Sequence, residues 1–342
     1  MTDQNLHPNP TPFVGMLKQG MVHIIHHNDM DGCCSAAITV FAFLLMELQL
    51  RPELEQQQHQ SVTLPIKLYE VDYSRPANIS AMRPGDKVII VDFSYPPEEM
   101  AKIEQAIHYI PGTTDIIWID HHATAKRYNH QYAGLRNFDN KGPAACELTW
   151  LYFFPEQAMP PAVKLIGDYD SWRLADPKSF VFHEGAKMIL DTPTNDIWPL
   201  LFIGDNAKLS FIENAGEVAI VYRDIYTKKM RTSYGYETTL DGHHAYAFNV
   251  FGFGSPAFGE VFDQYPMVIS YIHDGQKFTV SLYSRDIDVS VIARSFGGGG
   301  HKGAAGFVCD HLPFKPLEIT GGCDHLPLKP LDITGGGDEP AK

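Results

Sequence analysis

Carboxylate and imidazole side chains form several short clusters in the first half of the chain. The stretch HHNDMDG, residues 26–32, follows the apolar run MVHII and holds two histidines and two aspartates. Similar groups recur in VDFS, DHH and GDYDSW, and the residues concerned are His26, His27, Asp29, Asp31, Asp92, Asp120, His121, His122, Asp168 and Asp170. Crowded carboxylates raise one another's pKa unless a cation lies between them. Carboxylates combined with imidazoles suit a divalent metal such as manganese.

Each cluster alone has a simpler explanation. Asparagine and aspartate commonly cap helices, so HHND could be the polar entry to the helix that follows it. Asp92 alone would be an ordinary polar residue at a strand end, and Asp168 and Asp170 could end a helix. The metal prediction therefore depends on whether the fold brings the clusters together.

The pattern of apolar residues predicts a fold that would do so. MVHIIH, LPIKLYEV, KVIIVDF and DIIWID are typical of short buried strands. CCSAAITVFAFLLMELQL predicts a largely buried helix, and PPEEMAKIEQAIHYI predicts a second helix. Alternating strands and helices favour an α/β domain with a mostly parallel, doubly wound sheet. Ligands bind at the carboxyl ends of such strands, which is where three of the clusters lie.

The rest of the chain predicts a helical linker and a second, smaller α/β domain. Helices are expected over 143–154, 159–172 and 207–231, and strands in AYAFNVF, MVISYIH and KFTVSLYS. The helix VSVIARSF then precedes GGGGHKGAAGF. We predict a loose arm over 1–20, a first domain over 21–205, the linker over 206–240, the second domain over 241–308 and a tail over 309–342.

The tail contains an internal repeat. CDHLPFKPLEITGG, residues 309–322, is followed by CDHLPLKPLDITGG, residues 323–336. Each copy holds Cys, Asp and His, which leaves a zinc site as an alternative, although the spacing matches no zinc finger. Two prolines per copy favour a loose tail.

Composition narrows the classes of function. The formal net charge of −14 argues against a protein that grips long nucleic acid by its backbone, but not against a pocket for a small phosphate ligand. No uninterrupted apolar run of membrane-spanning length is present, and the first twenty residues do not resemble a signal peptide. Five cysteines without a CxxC pair predict reduced thiols in a cytoplasmic protein.

The motifs HNDMDG, VDFS, DHHATA and YDSW, in this order, resemble the signature of the DHH phosphoesterase superfamily. GGGGHKGAAGF is similar to the glycine-rich motif of the associated DHHA1 domain, so the resemblance covers about residues 21–308. It implies a DHH catalytic domain and a DHHA1 substrate-binding domain. The HND-x-DG start and the YD-[ST]-W motif look closest to the nano-RNase B type, which resembles the oligoribonucleases that degrade very short RNA.

The resemblance also implies two divalent ions, manganese in the first place, with magnesium or cobalt as alternatives. The implied ligands are His27 and Asp29 for the first ion, Asp31, His121 and Asp170 for the second, and Asp92 as the bridge. His26 stays open as an alternative to His27, and Asp168 as an alternative to Asp170. His122 is expected to face the phosphate and Asp120 to orient a neighbouring imidazole.

The second domain is expected to hold the substrate. The candidate residues are Arg285, Gly298, Gly299, Gly300, His301 and Lys302, because glycines let the backbone approach a phosphate and the others supply donors. A flexible linker is the alternative reading of the glycines. Relatives often place an arginine where this chain has Tyr283, so Arg285, two residues on, is expected to take that role.

The resulting prediction is a phosphodiesterase that uses two-metal activation of water to convert short RNA or DNA, or dinucleotides, to 5′-mononucleotides. A small cleft between the domains would make long RNA a poor substrate. The alternatives are a phosphatase for 3′-phosphoadenosine 5′-phosphate, a cyclic or linear dinucleotide phosphodiesterase and, in another class, a nucleotide-binding module without turnover. The sequence predicts no membrane partner and leaves a homodimer open.

Overall fold

The computed structural model describes residues 20–50, 64–72, 76–128, 130–139 and 141–317. The predicted arm, apart from Gly20, and the second copy of the tail repeat lie outside the described residues. The chain forms two compact units that divide between Val221 and Tyr222.

The first unit is built on a sheet of four parallel strands. Branched apolar runs form β1 (Val22–His27), β2 (Ile66–Val71), β3 (Lys87–Val91) and β4 (Ile116–Ile119), in the spatial order β2-β1-β3-β4. Helices α1 (Met30–Leu50) and α2 (Pro97–Ile107) follow β1 and β3. Successive strand residues pack into two separate cores, Ile89 with the α1 side and Ile90 with the α2 side, so both faces of the sheet are covered. The predicted α/β class is confirmed.

Helix α1 is long and apolar enough to cross a membrane by length and composition alone. In this fold, 72% of its most apolar window is buried, and Ile38, Phe43 and Met46 pack in the core of the first unit. The helix therefore has the surroundings of a core helix.

Between β4 and residue 236, the described residues form five α-helices, of which two were not predicted. Helices α3 (Ala145–Phe153), α4 (Pro161–Asp170) and α7 (Asn206–Tyr234) lie where helices were expected, whereas α5 (Lys178–Ile189) and α6 (Ile197–Phe202) were missed. Helix α5 contains Gly185, which has low helix propensity. A Cβ atom on Gly185 would lie 2.0 Å from the carbonyl oxygen of Ile212 in α7, so this glycine allows the two backbones to touch.

The second unit contains a mixed sheet of six strands. Its elements are β5 (Tyr236–Leu240), β6 (His243–Asn249), β7 (Met267–His273), β8 (Phe278–Tyr283), α8 (Val289–Ser295), β9 (Gly299–His301) and β10 (Ala304–Cys309). The spatial order is β5-β6-β7-β8-β10-β9, with β6 and β7 parallel and the other pairs antiparallel. The edge strand β5, with the polar sequence YETTL, was not predicted.

The beginning of the predicted loose tail is part of this second unit. Cys309 ends β10, and Phe314 is buried in the same core as Leu240 and Met267. The hydroxyl of Thr238 donates a hydrogen bond of 2.7 Å to the carbonyl oxygen of Lys315. Residues 309–317 therefore pack along β5 instead of leaving the fold, because Phe314 has an apolar site to fill.

Candidate metal centre

The carboxyl edge of the four-stranded sheet collects the polar clusters. His27 ends β1, Asp92 follows β3, and the Asp120–His122 segment follows β4. Asp29 and Asp31 lie at the start of α1, where the amide of Gly32 donates 2.9 Å to Asp29 Oδ1. A Cβ atom on Gly32 would lie 2.3 Å from the carbonyl oxygen of His27, so the tight strand-to-helix turn requires a glycine.

One group of ligand atoms forms between β1 and β3. His27 Nδ1 lies 2.6 Å from Asp29 Oδ2 and 3.6 Å from Asp92 Oδ2. These three side chains could hold one metal ion.

A second group shares Asp92 from the other side. His121 Nε2 lies 3.5 Å from Asp31 Oδ2, 3.3 Å from Asp92 Oδ1 and 3.2 Å from Asp170 Oδ2. Asp31, His121 and Asp170 could hold a metal ion, and Asp92 stands between the two groups with one oxygen toward each.

The electrostatics of Asp92 fit a position between bound cations. Its carboxylate is 1% exposed, and neither oxygen has a hydrogen-bond partner among the described residues. Burial, together with the charges of Asp29, Asp31 and Asp170, raises the pKa of Asp92 well above its ordinary value. A buried acceptor without donors is costly, whereas divalent ions bound on both sides would satisfy both oxygens. The residues therefore fit a dinuclear metal site.

The same crowding of carboxylates shifts the pKa values of the neighbouring Asp170 and His27. Burial raises the pKa of Asp170, and the charges of Asp31 and Asp29 raise it further. Burial alone would lower the pKa of His27, but the adjacent carboxylates of Asp29 and Asp92 raise it to about 10.

The backbone at Asp92 is also unusual. Its φ angle is +56°, in the left-handed region that residues other than glycine seldom adopt. The amide of Asp92 donates 2.9 Å to the carbonyl oxygen of Ile119, which holds the residue against the end of β4. This strain turns the side chain between the two groups of ligands, and strain of this kind is concentrated at functional sites.

The carboxylate of Asp31 is fixed by backbone amides. Asp31 accepts hydrogen bonds from the amides of Ala145 (2.9 Å) and Cys146 (2.8 Å) at the start of α3. These two amides at a helix N-terminus, where anionic groups bind favourably, fix the position of the Asp31 side chain.

Asp120 holds the adjacent imidazole in one orientation. Its Oδ1 atom lies 2.8 Å from His122 Nδ1 and also accepts from the amide of His121 at 2.8 Å. Ser94 donates to the other oxygen of Asp120. Sequence reasoning did not assign Ser94, although it stands in the VDFS motif itself. The arrangement leaves Nε2 of His122 as the nitrogen that can act on a ligand.

The structure separates the alternatives that the sequence left open. His26 lies in the buried interior, where its Nδ1 contacts the carbonyl oxygen of His27 at 2.9 Å, and it belongs to neither group of ligands. Asp168 accepts hydrogen bonds of 3.1 Å from the amides of Ala175 and Asp176. The geometry thus places His27 and Asp170 at the centre, with Asp168 supporting the loop after α4.

The predicted substrate residues belong to the second unit. Arg285 forms an ion pair of 2.9 Å between its Nε and Asp263, and its guanidinium lies 4.9 Å above the ring of Phe262. Lys302 is exposed, and the side chain of His301 lies outside the described part of the chain.

The glycine run is part of a hairpin. A Cβ atom on Gly298 would lie 2.0 Å from the carbonyl oxygen of Gly306, and one on Gly300 would lie 2.6 Å from the Cα of Ala305. Only Gly299 of β9 faces open space. Gly298 and Gly300 are therefore required for packing against β10, which disagrees with the flexible-linker reading.

Comparison with known proteins agrees with the fold. Residues 21–166 match the DHH family, N-terminal domain. Residues 21–166 of the chain therefore carry a DHH-family N-terminal domain. Members of this family are metal-dependent phosphoesterases. The DHHA1 and nano-RNase B resemblances stay predictions.

Three individual similarities add detail. The uncharacterized protein R106 of Acanthamoeba polyphaga mimivirus is 25% identical over 249 residues, a match that covers 68% of this chain and 56% of that protein. The DHH domain of a member of the s1p family of ribosomal proteins has a TM-score of 0.56 at 15% identity, covering 84% of this chain and 82% of that one. RecJ from Thermus thermophilus in complex with Mn²⁺ has a TM-score of 0.48 at 16% identity, covering 86% of this chain and 50% of that one.

Proposed function

We propose that this protein is a divalent-metal-dependent phosphodiesterase that hydrolyses short oligonucleotides and dinucleotides to 5′-mononucleotides. The observation that carries the proposal is the position of Asp92, whose two oxygens face two separate groups of aspartates and histidines. A shared carboxylate between two such groups is the arrangement that dinuclear phosphoesterases need.

His27, Asp29 and Asp92 would hold one ion, and Asp92, Asp31, His121 and Asp170 would hold the other. Oxygen and imidazole ligands suit manganese, and also magnesium or cobalt. When bound, the two ions would activate a water molecule and stabilise the charge on the phosphoryl oxygens.

His122 would act on the substrate through the nitrogen that Asp120 leaves available. The 2.8 Å contact between Asp120 and Nδ1 fixes the orientation of the imidazole ring. Nε2 is then free to contact a phosphoryl oxygen or the leaving oxygen of the substrate.

The preference for short substrates rests on the charge of the chain. A net charge of −14 opposes contact with many successive phosphates, and the aspartates of the candidate centre add to this effect. A substrate of a few nucleotides needs only the phosphate contacts at the site itself.

The test is a side-by-side assay of a labelled dinucleotide, a longer oligonucleotide, 3′-phosphoadenosine 5′-phosphate and a cyclic dinucleotide. With Mn²⁺ we expect rapid loss of the dinucleotide, release of 5′-mononucleotides and complete inhibition by EDTA. Preferential turnover of the bisphosphate or of the cyclic dinucleotide would replace this proposal with one of those activities. Asp170→Asn is the control for contaminating nucleases, since activity that survives in that preparation does not come from this site.

A further inference from the structure

The side chain of Trp172, two residues after the candidate ligand Asp170, is largely exposed to solvent. It is 57% exposed, whereas Trp118, Trp150 and Trp198 are at most 2% exposed. An indole carries a large apolar area that is normally buried on folding. Packing within the first unit therefore does not explain why this tryptophan is exposed.

The backbone holds Trp172 in a conformation that a bulky residue seldom adopts. Its φ angle is +51°, and its amide donates 3.0 Å to the carbonyl oxygen of Tyr169. Leu174 has a φ angle of +48°, and its amide donates 3.3 Å to the carbonyl oxygen of Asp168. Strained conformations persist only where the surroundings enforce them, and they concentrate at ligand sites.

The backbone of Trp172 lies next to a candidate metal ligand. It follows Asp170 by two residues, so their Cα atoms are at most about 7.6 Å apart. Its ring meets the ring of Tyr169 edge-on at 5.6 Å between centroids. Tyr169 in turn stacks on His183 at 3.7 Å. The indole is therefore supported on one side by other rings while much of its surface stays open.

We propose that Trp172 is a substrate-binding residue on which a nucleobase of the substrate stacks while the adjacent phosphate occupies the metal centre. This inference rests on the proposed function and specifies the substrate class as phosphodiesters that carry a base. Stacking on an aromatic ring tolerates every base, because each base has a π face. We therefore expect weak discrimination among dinucleotides of different sequence.

The first test uses the tryptophan itself as the probe. In a constant Mg²⁺ concentration, adenosine 5′-monophosphate should quench the intrinsic fluorescence of the wild type, and ribose 5-phosphate should not. Trp172→Phe keeps an aromatic surface but should lose the quench. Equal quenching by both ligands, or a quench that persists in Trp172→Phe, would overturn the proposal.

The second test separates binding from chemistry. Trp172→Ala should raise KM for a dinucleotide about tenfold, in line with the loss of one stacked base, while kcat changes less than about twofold. Trp172→Phe should restore most of the affinity, and Met188→Ala, at an apolar position of α5 with 61% exposure, is the matched control. An abasic dinucleotide should be cleaved equally by wild type and Trp172→Ala.

Other outcomes separate this inference from the proposed function. If Trp172→Ala slows the abasic and the natural dinucleotide equally, the residue supports the loop and does not stack. If the wild type cleaves no dinucleotide but still shows the base-dependent quench, the stacking site stands and the proposed activity fails.

Discussion

Several energetically unfavourable features of the fold occur together at Asp92. It is buried, it has no donor for either oxygen within the described residues, it faces three other aspartates and its backbone is strained. Each of these features opposes folding when metal is absent. The same features become favourable once cations lie on both sides, because metal binding then contributes to the stability of the folded state.

Replacing Asp92 by asparagine should therefore separate stability from activity. We expect Asp92→Asn to lose more activity than the about 10- to 100-fold that follows loss of an outer partner of a metal site. In EDTA its melting temperature should equal or exceed that of the wild type, because one buried charge is gone. Mn²⁺ should raise the melting temperature of the wild type far more than that of the variant.

Asp310→Asn is the control for this experiment, since the Asp310 side chain is 75% exposed. It should behave as the wild type in both measurements. An Asp92→Asn protein with normal activity would remove Asp92 from the centre.

At the level of elements, the strands and long helices could be predicted from sequence, whereas the elements around the site could not. Runs such as KVIIV form buried strands because branched side chains fill both faces of a covered sheet. Helix α5 escaped prediction because its conformation depends on the contact between Gly185 and α7, a partner distant in sequence. The edge strand β5 alternates polar and apolar residues, and pairing with β6 decides its conformation.

The loop after α4 shows how an element can determine the role of a residue. Asp168 and Asp170 are equivalent in the sequence, but the end of α4 turns Asp170 toward His121 and Asp168 toward the amides of Ala175 and Asp176. Opposing the effect of burial, these hydrogen bonds and Arg173 hold the pKa of Asp168 below its ordinary value.

We expect Asp168→Asn to destabilise the fold at pH 7 by about 1.5–3 kcal/mol, the range for hydrogen bonds to a charged group. The folded pKa of Asp168 is depressed, so its contribution is complete above its unfolded pKa and is lost as pH falls through the folded value. Urea midpoints of the two proteins should therefore converge as the pH falls below about 4.

This variant should keep its response to metal, because Asp168 lies outside both groups of ligands. Mn²⁺ should still raise its melting temperature, and the exposed Asp196→Asn should match the wild type. Loss of the metal response without loss of stability would instead make Asp168 a ligand.

For the molecule as a whole, much of the candidate site could be read from sequence because parallel strands end at a common edge. The order of the clusters after β1, β3 and β4 was enough to predict that Asp29, Asp92 and His121 meet. The choice between His26 and His27 required the exact end of β1, since adjacent strand residues point to opposite faces. In the sequence, Trp172 is distinguished only as the last residue of YDSW, because its exposure is a property of the folded chain.

The net charge of the molecule leads to a prediction about substrate length. At low salt, cleavage should fall as the substrate lengthens from two to about 24 nucleotides, because an acidic surface repels phosphates that lie beyond the site. Added salt should narrow this difference, since the screening length is about 10 Å at 0.1 M. For the dinucleotide, the logarithm of KM should change with the logarithm of salt concentration by only about 0.7 for each phosphate contacted. Rates for a length series at several salt concentrations provide the measurement. A 24-mer that is cleaved faster than the dinucleotide at low salt, and loses that advantage as salt rises, would reveal a basic path for long strands and contradict the limit to short substrates.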